Sequence, residues 1–339
     1  MPGRRNALVA IAALGLAIGI LLAAGTTTVW SEEKRWQAVA PGRVEACSGQ
    51  IKLGTAAAGI VDKVLVKAND RVFAGEPLIR LADGEFAGRL AAAEAQVGLR
   101  KRARDEKSAT GKAVTLRKAR DARADAEEKV YAVRAIVDRT AAEWRAKGGS
   151  SDALTKARSA LAGARAELAK REEELNAVEE DAPLPTTLEG QLGIARSEYA
   201  VARSALDNMT VRAPVDGTVL QVNVRAGEPV SPASPLPLLQ LADLSALCVR
   251  AELDERDLAS VKVKQPVSVR AAAFPGSELT GKVVSIAPLV GPGRAETSGV
   301  RNQSDVNVVE VMIELSQPGE FLTGMKVDVY FRPGEVVGR

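Results

Sequence analysis

The chain contains no histidine, so the side chain most used as a general base near neutral pH, and the commonest metal ligand, is missing. Aromatic residues are only 3% of the 339, too few for stacking platforms or an aromatic-lined ligand pocket. An excess of one charge is lacking too. The 46 Lys and Arg are interleaved with 43 Asp and Glu, for a net charge of +3, and no nucleic-acid footprint stands out. No acid–base, nucleophile or metal-ligand constellation is visible. The scattered carboxylates read as solvated helix faces, and the chain reads as a non-enzyme with no catalytic residue, bound cofactor or metal. Cysteine is scarce as well: Cys47 and Cys248 are the two present. A disulfide between them is possible and would join distant stretches of chain in an oxidising compartment, but two buried free thiols are the reading slightly preferred.

What is present begins with length, which allows two or three small domains. Arg4 and Arg5 precede an uncharged run from Asn6 to Ser31 that is apolar from Ala7 to Ala24. Such a run just spans a bilayer, and the arginines orient it with the following chain outside the cytoplasm. A cleaved signal peptide ending near Ala23-Ala24-Gly25 is the rival reading, with the same consequence for the rest.

The stretch Gly59 to Leu81 reads as short strands with tight turns at Asn69-Asp70 and Gly75-Glu76. A second copy appears at Val211 to Val230, where Gly217, Val219 and Val222 repeat the spacing of Gly59, Val61 and Val64. Gly227-Glu228-Pro229 matches Gly75-Glu76-Pro77 in type, though not at the same offset. Two half-motifs flanking an insert predict a pseudo-symmetric sandwich whose halves pair in space.

The insert, residues 83–208, is helical. Leu154, Leu161, Leu168 and Leu175 recur every seven residues, as do Val130, Val137 and Trp144, and again Leu192, Tyr199 and Leu206. Gly148 to Ser151 separates the first two runs, which predicts an antiparallel coiled-coil hairpin. Charged residues crowd the flanks of the seam, as suits a hairpin projecting into solvent. Breaks at Ser108–Gly111 and at Pro183 and Pro185 predict two stacked pieces joined end to end. The outer piece would reach about 50 Å and the base another 30 to 40 Å. Beyond Ser231–Pro237, a loop, five or six short strands between Ala246 and Phe331 predict a small antiparallel barrel, with a one-turn helix near Asp254–Leu258 and a polar excursion over Pro288–Ser304.

In this order of parts the chain resembles the membrane fusion protein (periplasmic adaptor, HlyD-like) family of bacterial export systems. The most specific match is Val211-Arg-Ala-Pro-Val-Asp-Gly-Thr-Val219, similar to the second half of the family's lipoyl-like domain. Leu241–Leu244 with Ala251–Leu258, and Leu322–Val327, are similar to the entry and last strand of its barrel. The resemblance implies a multidomain α+β protein: 1–35 cytoplasmic stub and transmembrane helix; 36–82 first lipoyl-like half with a preceding strand; 83–208 helical hairpin; 209–243 second half; 244–332 β-barrel; 333–339 tail. It implies a single-pass inner-membrane protein with its bulk in the periplasm. Its partners would be an inner-membrane transporter, of ABC or major-facilitator type given the short stretch after the barrel and with ABC favoured by an uncleaved anchor, and an outer-membrane channel of the TolC type. It implies a homo-oligomer, a hexamer in the family, and no nucleic acid. At the hairpin tip Arg139, Trp144, Ser150 and Leu154 fill places comparable to the family's channel-docking residues, with Trp144 in place of the usual Leu. The turn that carries a loaded lysine in true lipoyl domains is where the hairpin is inserted, so an acyl carrier is a poor reading. A membrane-anchored coiled-coil tether outside any pump is the alternative.

Overall fold

The computed structural model describes residues 36–147, 151–180, 184–292, 307–317 and 319–333. The expected membrane anchor, Ser150 of the tip, the tail and most of the polar excursion lie outside these residues. Among the described residues, fourteen strands, four α-helices and a short 3-10 helix fall into three units.

The barrel is closed by six strands: β1 (Ala38–Ala46), β10 (Leu247–Asp254), β11 (Pro266–Arg270), β12 (Glu278–Pro292), β13 (Asn307–Leu315) and β14 (Lys326–Phe331). Their order around it is β1-β10-β13-β12-β11-β14. Alternation drives the closure. In β13 Val309, Val311, Ile313 and Leu315 point inward while the intervening side chains face out. The inward sets meet in one core with Val44, Val249, Leu253, Val329 and Phe331. Gly281 lets β12 lie tight on β13, since a Cβ there would sit 2.7 Å from the Glu314 carbonyl oxygen. A 3-10 helix over Glu255–Ser260 follows β10, capped by Asp254, whose carboxylate accepts from the Arg256 amide at 2.9 Å. β1, grouped with the first sandwich half from sequence, belongs here instead, paired with β10 on one side and β14 on the other. Cys47, just after β1, is disulfide-bonded to Cys248 in β10. β12 also runs on to Pro292, into what the sequence suggested was irregular.

The sandwich has two four-stranded sheets. One is ordered β2 (Gln50–Leu53), β9 (Leu239–Ala242), β7 (Gly217–Val222), β4 (Arg71–Val72). The other is β6 (Thr210–Arg212), β5 (Pro77–Leu81), β3 (Gly59–Val64), β8 (Pro229–Val230). A pseudo-twofold exchanges them with an offset of 158 residues, Gly59 falling on Gly217. The hydrogen bonds obey it: the Asn69 amide donates to Val219 O and the Gly227 amide to Val61 O, both at 2.8 Å. Asn69 (φ 72°) and Gly227 (φ 91°) are therefore counterparts, each taking the left-handed conformation that Asn tolerates and Gly adopts freely. This corrects the type-based match: Gly227-Glu228 corresponds to Asn69-Asp70, and Gly75-Glu76 is a further turn. The halves share a core of Leu78, Ile79, Leu81, Val219, Leu239 and Leu241, all essentially inaccessible to solvent.

Between β5 and β6 run α1 (Gly84–Asp105), α2 (Lys112–Lys147), α3 (Ser151–Glu179) and α4 (Thr187–Asp207). α1 packs on α4 and α2 on α3. The heptad positions carry the packing: Leu90, Leu192 and Ala195 are buried in the first pair, Leu116, Leu154 and Ala164 in the second. Here the structure departs from the extended, two-tier hairpin. After α1 the chain turns through residues 106–111, with Gly111 at φ 59°. α2 then runs back beside α1 and α4 toward the sandwich, so that Asp121 meets Arg104 and Arg196, Arg134 meets Asp207, and Asp138 meets Arg212. The charges read from sequence as solvated flanks are what make this return path, because they find opposite charges on α1, α4 and the sandwich.

Candidate functional site

Of the residues expected at the hairpin tip, Trp144 sits where α2 and α3 meet the sandwich. α2 has 36 residues, so at 1.5 Å per residue it runs about 54 Å and outreaches the 22-residue α1 by several turns. Its last turns therefore lie along the sandwich wall. Trp144 is half-buried there, its ring 5.9 Å from Phe73 and tilted 53° to it. Arg158 of α3 lies over the other part of the same contact, 4.5 Å from the Phe73 centroid. Leu154 is buried, Arg139 is exposed, and Ser150 lies outside the described residues. Trp144 and Leu154 are thus in internal contacts, and Arg139 faces solvent.

Sequence reasoning missed the groups that hold this end. Arg145 places its Nε 2.9 Å from Glu76 Oε1 and donates from Nη1 to the carbonyl oxygen of Leu65. Glu76 is nearly inaccessible, at 4% exposure, and its other oxygen accepts from the Phe73 amide at 2.8 Å. The Arg145–Glu76 contact is close but not aligned as a hydrogen bond, so it is chiefly coulombic. Burial pushes the Glu76 carboxyl above its ordinary value, against the Phe73 amide and the charges of Arg145 and Arg158. Arg212 of β6 grips Asp138 with two bonds of 2.9 Å and also donates to Gly75 O. One signal was available: Glu76 follows a turn glycine and precedes proline, where a solvent-facing Glu is the default, as Glu228 is. The partner 69 residues away was not readable.

At the far end, Arg104 is 1% exposed and makes a fork of two 2.9 Å bonds to Asp121. Arg196 of α4 adds a 2.6 Å bond to the same carboxylate. Burial alone would raise Asp121, but the bonds from Arg104 and Arg196 outweigh it and hold the carboxyl below its usual range. Arg117 reaches Glu189 at 2.8 Å beside it.

In each of these contacts the acid is matched by at least one arginine. Among the described residues no group of three or more Cys, Asp or Glu could hold a metal ion. No described helix is long and apolar enough to cross a membrane. Residues 231–237, between β8 and β9, form a largely exposed loop.

Comparison with known proteins agrees with the architecture. Residues 247–303 match the family described as CusB-like, beta-barrel domain. The chain is 30% identical to the macrolide export protein MacA of Yersinia pestis over 103 residues, 30% of this chain and 28% of that protein. It is 28% identical over 316 residues to Protein CyaD of Bordetella pertussis, covering 79% of this chain and 70% of that one. The crystal structure of MacA from Actinobacillus actinomycetemcomitans shares the fold, with a TM-score of 0.51 at 20% identity over 87% of this chain and 78% of that chain. The match to MacA of Yersinia spans less than a third of that protein's length, so what such proteins do is argued for this chain separately below. Residues 52–240, more than half of the chain, match the family described as CusB, barrel-sandwich hybrid domain, and the chain belongs to that family of membrane fusion proteins.

Proposed function

We propose that this chain is a periplasmic adaptor that links an inner-membrane exporter to an outer-membrane channel for efflux or secretion, and that it works mechanically rather than as an enzyme. The observation that carries the reading is the split sandwich. Its halves are complete only across a four-helix insert, and a closed barrel abuts it. That is a construction for spanning distance and joining surfaces. The names of the relatives support export: one is a macrolide export protein and another a pyoverdine export membrane fusion protein. On this reading residues 1–35 anchor the chain in the inner membrane, the barrel meets the transporter, an ABC exporter being favoured, and several copies, six in the family the chain resembles, form a ring. The tip, with Arg139, Trp144, Ser150 and Leu154, meets a channel of the TolC type.

Photo-crosslinking in intact cells tests it, with the probe at exposed Arg139 near the tip and at exposed Ala259 on the barrel. An outer-membrane channel captured at the first position and a transporter at the second are expected. Self-crosslinks alone at both positions would sink the adaptor reading in favour of an isolated tether.

A further inference from the structure

The helices are held by two kinds of contact, in different proportion within and between the pairs. Apolar side chains are buried on each pair, Leu90, Leu192 and Ala195 on one and Ala126, Leu154 and Ala164 on the other, with the ion pairs Arg120–Glu179 and Arg123–Glu172 beside the second. Between the α2/α3 pair and the rest of the protein the contacts are mostly charged. Asp121 is shared by Arg104 and Arg196, Arg134 pairs with Asp207 at 2.7 Å, Asp138 with Arg212 at 2.9 Å and Arg145 with Glu76 at 2.9 Å. Trp144 on Phe73, and Tyr131 under Arg203 at 4.1 Å, are the aromatic additions. An interface meant to stay shut buries leucines. One made of ion pairs opens when a partner is lost, and its partly exposed members, such as Arg134 and Asp207, are weakened by salt.

The connections allow such movement. Residues 106–111 are not part of a helix and turn at Gly111. On the return side α4 restarts at its own cap, with Thr186 accepting from the Glu189 amide. Each pair keeps its apolar seam whether or not the pairs touch.

We propose that α2/α3 is a releasable arm, stowed against α1/α4 and the sandwich by these ion pairs and able to swing out about residues 106–111. In the stowed state Trp144 is occupied by Phe73. Swung out, α2 continues the direction of α1, and the tip moves away from the sandwich by a distance on the order of 80 Å, set by helices of 22 and 36 residues. The ionic contacts then act as a latch between a short and a long form of one chain. The inference rests on the adaptor reading only in what the freed tip meets. The swing itself belongs to the chain alone.

Pulsed electron–electron spin resonance on the full chain in detergent micelles tests it without any partner. Spin labels are placed at Glu143→Cys on α2 and Arg225→Cys on the sandwich, both exposed positions. Cys47 and Cys248 are bonded to each other and do not take label. At low ionic strength a short distance is expected. Raising the salt to about 1 M, which contracts the Debye length to about 3 Å, brings in a population longer by tens of ångströms. Arg134→Asp raises that population at low salt at least threefold, and adding Asp207→Arg restores the short distance, which a merely misfolded arm would not do. A distance that stays short at high salt and in Arg134→Asp overturns the proposal in favour of a permanent brace. A distance that is long at low salt in the unaltered chain overturns it as well. Either result leaves the crosslinking test of the adaptor role standing on its own.

Discussion

At the top of α1, Arg104 carries a full charge at 1% exposure, a state made tolerable by Asp121, which receives both arms of its fork, and by Asp105, which accepts from its Nε at 2.9 Å. Removing Asp121 leaves Arg104 with Asp105 alone and takes from Arg196 its bond to the same carboxylate, a loss of at most about 3–5 kcal/mol. Asp121→Ala is therefore expected to open the joint between α1 and α2, read as a long-distance population between labels on the arm and the sandwich, while far-UV circular dichroism keeps its helical signal. Closure responds to pH through Asp121. Asp121 is held low when the arm is closed, so its contribution is present above the ordinary carboxylate range and lost as pH falls through its lowered value. Glu76 is raised by burial, while the charges that face it from the arm, Arg145 and Arg158, favour its ionised form. Closure is thus expected to weaken as pH falls below the ordinary carboxylate range, about pH 4. The same label pair measured across pH checks this, and a short distance that persists unchanged into acid would contradict it.

At the scale of elements, β1 joins the start of the described chain to strands more than 200 residues away, and the disulfide fixes that meeting at a sequence separation of 201. Closing so long a loop restricts the unfolded chain, so Cys47→Ser with Cys248→Ser is expected to lower barrel stability by about 2–4 kcal/mol, measured as an earlier urea midpoint. Gly281→Ala is expected to cost about 1–3 kcal/mol, since the added Cβ meets the β13 backbone, which cannot yield as a side-chain end does. These elements also mark what could be read in advance. The strands of β10, β11, β13 and β14, the 3-10 turn and the heptad helices announced themselves through local periodicity and caps. The place of β1 did not, because nine residues alternating small and polar fit either a sandwich edge or a barrel wall, and only pairing with β10 and β14 decides. The return of α2 was hidden for the same reason. A break such as Ser108–Gly111 looks alike whether the next helix continues or reverses, and the ion pairs that choose between these join residues up to 75 apart. At the tip, Trp144 was read from sequence as a docking residue, and its seat on Phe73 beside Glu76 and Arg145 was not readable.

At the scale of the whole molecule, the described residues form two apolar cores, one in the barrel and one in the sandwich, and neither includes a residue of α2 or α3. Excising residues 112–179 behind a short Gly/Ser link is therefore expected to leave the thermal transition of the β units unchanged to within a few degrees, by differential scanning calorimetry. A collapse of that transition would mean that the helices carry the sandwich rather than rest on it.

The position of β1 also sets the path of mechanical load. A pull on the chain at Trp36 reaches β1 first, where it is borne in shear by hydrogen-bonded ladders to two neighbours at once. At the strand's far end the tension passes through sulfur into β10 rather than along the backbone into β2. The barrel and its covalent clamp thus act as a strain relief: traction applied at Trp36 is borne there before it can pry apart the two half-sandwiches, whose joining depends on short strands of two to six residues.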